Sequence, residues 1–157
     1  MEVLKVKLNL KAQTLEADYK TDAGDEITFK GVAQVHPDLE KALAKLNDHL
    51  GDICEMEDIT SVIATGFTIG GEGDHQGAVV IGRKLLANNR ILNLCSPFVK
   101  FDPDLEPYEG AASLARAIRG VQVEAVEYLE GRKIGGATQG DLFPDLEVVG
   151  VTALTVE

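Results

Sequence analysis

The sequence lacks the features that identify membrane-spanning and secreted proteins. Its 157 residues contain no run of about 18 apolar residues, so no transmembrane helix is expected. The first five residues alternate apolar and polar side chains and do not have the basic head and apolar block of a secretory signal. We therefore expect a cytoplasmic protein that does not enter a membrane.

Cysteine and histidine are scarce, with two and three copies respectively. Cys54 and Cys95 have apolar neighbours and no Cys-x-x-Cys spacing, which predicts two buried, reduced thiols. The histidines are far apart and show no Cys/His ligand spacing, so no metal site is expected.

Recognised catalytic motifs are missing as well. The serines are Ser61, Ser96 and Ser113, and none of them lies in a Gly-x-Ser-x-Gly turn. There is no His-Glu-x-x-His motif, and no pair of acids stands out by its spacing. We therefore expect no catalytic residues and no cofactor, and predict that the chain is not an enzyme.

What is present indicates a globular domain with an unequal distribution of charge. The hydrophobic fraction is 45%, and a net charge of −11 argues against a general nucleic-acid coat protein. No Asp or Glu occurs between residues 75 and 101, where Arg83, Lys84, Arg90 and Lys100 lie. That segment carries +4, so the remainder carries −11 − 4 = −15.

Alternating apolar residues predict a three-stranded meander over residues 3–33, with Gly24 in one turn. Further strands are predicted at 59–69, 78–85 and 91–95, with a tight turn near Asn88 and Asn89. Three prolines between Ser96 and Gly110 indicate a loop, and loops of this length are often functional.

Two amphipathic helices are predicted, at 38–50 and 109–130, from apolar residues spaced three and four apart. The order β-β-β-α-β-β-β-α predicts an α+β domain, an antiparallel sheet with two helices packed on it. We place this domain at 1–131. Residues 132–157 then form a Gly-rich linker, a Gln-Gly-Asp-Leu-Phe segment and a C-terminal extension that can add one strand at 146–156.

The segment from Gln139 to Phe143 resembles the bacterial sliding-clamp-binding pentapeptide. Gln139, Asp141, Leu142 and Phe143 fit that motif, whereas Gly140 stands where the motif usually has Leu. An extended peptide of this kind inserts Leu and Phe into an apolar pocket. The resemblance therefore implies a partner-binding segment, and the alternative is that Leu142 and Phe143 pack on their own domain.

The wider chain resembles small uncharacterised phage and prophage proteins. The resemblance rests on the meander, on residues 98–102 and on the segment 139–143. It implies a role in phage DNA metabolism or in host interference, in the cytoplasm of the host.

The sequence leaves four functions open. The first is an accessory protein that docks a protein partner, such as a sliding clamp, through residues 139–143. The second is an acidic inhibitor or decoy of a basic host protein. The third is a single-stranded DNA binder, with weak contacts from the basic region and a base stacked on Phe98. The fourth is a structural homo-oligomer subunit.

Overall fold

A computed structural model describes residues 1–133, and within them the chain forms seven strands, three α-helices and one short 3-10 helix (Gly73–His75). The helices are α1 (Pro37–Ala44), α2 (Asn47–Ile53) and α3 (Ala111–Leu129). The strands are β1 (Glu2–Asn9), β2 (Thr14–Lys20), β3 (Glu26–Lys30), β4 (Val62–Gly70), β5 (Gly77–Leu85), β6 (Ile91–Cys95) and β7 (Val99–Lys100).

All strand pairs of the sheet are antiparallel. The strand order is β3-β2-β1-β4-β5-β6, and β7 pairs with the start of β5 beside β6. Short turns join most neighbours, and positive φ angles at Gly24 and Asn89 form two of these turns as predicted. The α+β class, with helices packed on an antiparallel sheet, is therefore confirmed.

The helices cover one face of the sheet, and the core lies between the two layers. Side chains such as Leu15, Phe67 and Val80 point inward from the strands, and Leu43 and Leu114 meet them from the helices. Each is at most 2% exposed. Burying an aliphatic or aromatic side chain of this kind contributes about 1.5–3 kcal/mol.

The predicted helix at 38–50 is interrupted after Ala44. Lys45 N donates to Ala42 O and Leu46 N to Leu43 O, so the chain tightens from four-residue to three-residue spacing before α2 begins. The buried stripe still continues through Leu39, Leu43, Leu46 and Leu50. The stripe was predicted correctly because a tight turn keeps the same apolar residues against the sheet.

The predicted loop at 96–110 contains a strand. Ser96 lies between β6 and β7, where its amide donates to Val80 O (2.9 Å) and its hydroxyl accepts from Val80 N (2.9 Å). These two hydrogen bonds connect Ser96 to β5 at the kink, and regular pairing with β5 begins again at Val99 and Lys100. The sequence did not predict this short strand, because Pro97 cannot donate a sheet hydrogen bond and therefore indicates a loop.

The prediction that both thiols are buried is wrong. Both cysteines are free, but Cys54 is half-buried and Cys95 is exposed. Cys95 is the last residue of β6, which among the described strands pairs only with β5 and is therefore an edge strand.

No described helix combines the length and the apolar character that crossing a bilayer requires. The predicted linker, the segment 139–143 and the predicted strand at 146–156 lie outside the described residues, which end with Lys133.

Candidate functional site

A cleft of about 990 Å³ lies where α2, the start of β7 and the loop before α3 meet. This is near the upper end of the range for ligand pockets, about 300–1,000 Å³. Its lining combines carboxylates, two aromatic rings and a histidine. The residues that line it are His49, Asp52, Ile53, Glu55, Pro97, Phe98, Val99, Glu106, Pro107, Tyr108, Glu109, Gly110 and Ser113.

Helix α2 fixes one wall of the cleft. Leu50 is fully buried, and Asn47 Oδ1 accepts a hydrogen bond from Ala64 N of β4 (2.7 Å). With one side of this short helix held against the sheet, His49 and Asp52 reach the cleft.

The kink between β6 and β7 places Phe98 on the opposite wall. The Ser96 hydroxyl donates to Pro97 O (2.8 Å), which stabilises the kinked backbone. Phe98 lies over Gly70 at the end of β4 and is 42% exposed. An apolar ring is therefore available to solvent beside the cleft.

Glu106 holds the loop before α3 in place. Its two carboxylate oxygens accept hydrogen bonds from Lys100 N (2.9 Å) and from Tyr108 N (3.0 Å). A Cβ atom at Gly110 would approach the Tyr108 ring to 2.7 Å, so glycine lets the loop pack closely against this ring. The carboxylate of Glu106 is thus used within the loop.

His49 links α2 to the loop before α3 and to the first turn of α3 through hydrogen bonds to two hydroxyl groups. Its Nδ1 lies 2.6 Å from the Tyr108 hydroxyl and its Nε2 lies 3.3 Å from Ser113 Oγ. Burial lowers the pKa of His49, against the opposing effect of Asp52 and Asp48, and burial raises the pKa of Tyr108. The ring is therefore neutral at pH 7, so one hydroxyl donates to it and the other accepts from it.

The order Ser113, His49, Tyr108 has the connectivity of a nucleophile, a base and an orienting group. In hydrolases of this type the third group is usually a carboxylate, which stabilises the protonated histidine. Here the third group is a neutral phenol, and Ser113 is exposed at the first turn of α3. The cluster is suited to holding the cleft walls together and to offering polar contacts.

The basic residues singled out in the sequence do not form one patch. Lys84 Nζ donates to Asp58 O (2.6 Å) and Ser61 Oγ (3.0 Å), so its ammonium is used within the fold. Lys84 faces Leu92 in the sheet. Arg83 is its half-buried neighbour in the sequence, and Arg90 lies in the nearby β5–β6 turn.

Lys100 lies at the opposite end of β5, where it pairs with Gly77. Lys84 is seven positions after Gly77 along β5, which corresponds to about 23 Å at the usual rise per residue. Phe98 is at the Lys100 end. The fold therefore separates the predicted base-stacking ring from three of the four basic side chains.

The other predicted site residues are Gln139, Asp141, Leu142 and Phe143, which lie outside the described residues. Within residues 1–133, no group of three or more His, Cys, Asp or Glu side chains could hold a metal ion.

The His49 cluster has no local signature in the sequence. His49 is 59 residues from Tyr108 and 64 from Ser113, so only the tertiary fold brings them together. The length of the loop at 96–110 was the one available signal, because it marked this segment as a functional candidate.

Comparison with known proteins gives no matching family model, no matching curated protein and no matching solved structure.

Proposed function

We propose that this chain is a non-catalytic accessory protein of phage-type DNA metabolism that docks a protein partner, a bacterial sliding clamp, through Gln139–Phe143. The observation that carries the proposal is the pentapeptide itself, with four of its five residues fitting the clamp-binding motif. Leu142 and Phe143 would fill an apolar pocket on the clamp, and Gln139 would hydrogen-bond its rim.

The contacts of Lys133, six residues before Gln139, support this proposal. Lys133 Nζ donates to Asp38 Oδ2 of α1 and to Glu124 Oε1 of α3, each at 3.0 Å. These two contacts fix the position of Lys133 beside α1 and α3. Gln139 follows six residues later, which allows a reach of about 20 Å in an extended chain.

The test is isothermal titration calorimetry of the full chain with a bacterial sliding clamp. We expect binding that is lost when Leu142 and Phe143 are both changed to Ala, because truncation removes the two side chains that fill the pocket. A matched control changes Leu146 and Val148 to Ala, removing similar apolar side chains just beyond the motif, and should bind like the wild type. The variant Gly140→Leu completes the motif and should tighten binding by about tenfold.

Absence of wild-type binding would reject the clamp as the partner. Equal affinity of the wild type and the Leu142→Ala/Phe143→Ala variant would show that the pentapeptide is not the docking segment.

A second candidate function is the acidic inhibitor or decoy of a basic host protein. One observation favours it: three carboxylates that line the cleft, those of Asp52, Glu55 and Glu109, have no ion-pair or hydrogen-bond partner within residues 1–133. It predicts binding to a basic partner that weakens as the salt concentration rises.

A further inference from the structure

The carboxylates of Asp52, Glu55 and Glu109 line the cleft without an ion pair or hydrogen bond from any described residue. The ion pairs of the described chain all lie elsewhere, at Met1, His36, Arg132 and Lys133. No lysine or arginine lines the cleft. The cleft therefore carries a concentration of negative charge that the described domain does not neutralise.

Apolar and aromatic side chains form the rest of the cleft. The exposed ring of Phe98 stands on one wall and the half-buried ring of Tyr108 on another, with Ile53 and two prolines beside them. A guanidinium group stacks on an aromatic face and also forms planar hydrogen bonds to carboxylates. The carboxylates and the aromatic rings of the cleft therefore both favour a guanidinium group.

The uncharged ring of His49 leaves the cleft favourable to a cationic guanidinium group. Burial keeps the ring uncharged at pH 7, so the wall beside Asp52 adds no positive charge to oppose a cation. Lys45 and Arg116 lie in a separate, smaller depression that shares His49 and Ser113 with the cleft. The His49–Ser113 pair therefore stands between the cleft and these basic side chains.

We propose that this cleft binds an arginine-bearing segment of a partner protein, whose guanidinium is held between Asp52, Glu55 and Glu109 and stacked on Phe98 or Tyr108. Charge complementarity and the exposed ring select this occupant. The proposal uses none of the residues Gln139–Phe143, so it does not depend on clamp docking.

The test uses the full chain, labelled with ¹⁵N, and the peptide acetyl-Gly-Arg-Leu-Arg-Gly amide as the probe. We expect chemical shifts to change around Phe98 and between Tyr108 and Ser113. The same peptide with citrulline in place of arginine keeps the shape but removes the charge, and it should not bind.

A triple variant, Asp52→Asn with Glu55→Gln and Glu109→Gln, should weaken binding of the arginine peptide by about tenfold or more, and Phe98→Ala should weaken it to a smaller extent. The matched control removes three exposed carboxylates elsewhere, with Asp25→Asn, Glu26→Gln and Glu40→Gln, and should bind like the wild type. This comparison separates a local site from the effect of total charge.

The proposal is overturned if the wild type shows no shift changes at the cleft, or if the triple variant binds as tightly as the control variant. The Leu142→Ala/Phe143→Ala variant should bind the arginine peptide with wild-type affinity. Failure of clamp docking and failure of this site are therefore distinguishable.

Discussion

Carboxylates near the two ends of α3 differ in whether they have ion-pair partners among the described residues. At the C-terminal end, Glu124 accepts from His36 Nε2 (3.1 Å) and from Lys133 (3.0 Å), and Lys133 also pairs with Asp38. At the N-terminal end, Glu109 and the nearby carboxylates of α2 and its C-terminal turn have no cationic partner among the described residues. His49 joins that end to α2 through uncharged hydrogen bonds.

This difference separates groups that stabilise the fold from groups that are free to bind. Charges at the C-terminal end connect α3 to the start of α1, and their partners come from within the domain. Like charges gathered without partners contribute little to stability or reduce it, and such local costs are typical of binding sites. We therefore expect substitutions at the C-terminal end to change stability and those at the cleft to change binding.

The largest expected effect is at Tyr128, near the C-terminal end of α3. Its ring packs edge-on against Phe29, with 6.1 Å between ring centres, and its hydroxyl donates to Ala33 O. Tyr128→Ala should lower the free energy of unfolding by about 3–5 kcal/mol, since it leaves a cavity in the core. Urea denaturation measures this loss.

The conservative variant Tyr128→Phe keeps the ring and loses only the hydroxyl, at a cost of about 1–2 kcal/mol. Equal costs for the two variants would show that the ring is not part of the core packing described above.

The pattern of apolar residues was enough to predict much of this core. Spacings of three and four placed Leu114, Ile118 and Val121 on the buried face of α3, and all three are buried. Strict alternation was less reliable at β1. A register shift between Val3 and Lys5 buries Val3 and leaves Leu4 only partly covered, because a bulge changes which side chains face inward.

The cleft could not be predicted in the same way. Its walls come from α2, from a two-residue strand behind Pro97 and from the first turn of α3, which are far apart in the sequence. The spacing of apolar residues indicates which face of one helix or strand is buried, but it does not indicate which loops lie next to each other in the fold. The net charge did not predict the cleft either, because it does not distinguish Glu124, which has ion-pair partners, from Glu109, which has none within residues 1–133.

The second effect is on the pH dependence of stability. Hydrogen bonding to Lys133 lowers the pKa of Glu124 and of Asp38. A carboxyl group with a lowered pKa in the folded state contributes stability above its unfolded pKa and loses it as pH falls through the folded pKa. The stability of the wild type should therefore fall as pH decreases from about 5 to about 3.

Lys133→Met should flatten this fall, because without the ammonium both carboxyl groups return toward their ordinary pKa. Urea midpoints measured at several pH values test this. Lys45→Met, in the turn between α1 and α2 and close to the start of α3, is the control and should keep the wild-type slope. An unchanged slope in Lys133→Met would mean that the ion pairs are not formed in solution.

The smallest expected effect is on the stability of the cleft variant Asp52→Asn/Glu55→Gln/Glu109→Gln. Removing three unpartnered like charges breaks no ion pair within the described residues, so the free energy of unfolding should stay within about 0.5 kcal/mol of the wild type, with any change being an increase. Asp38→Asn/Glu124→Gln is the contrasting variant, because it removes carboxylates that have partners, and it should be less stable than the wild type. Urea denaturation of both variants at pH 7 and low salt measures the difference. A marked destabilisation of the cleft variant would show that these carboxylates support the fold, and the contrast between the two ends of α3 would then fail.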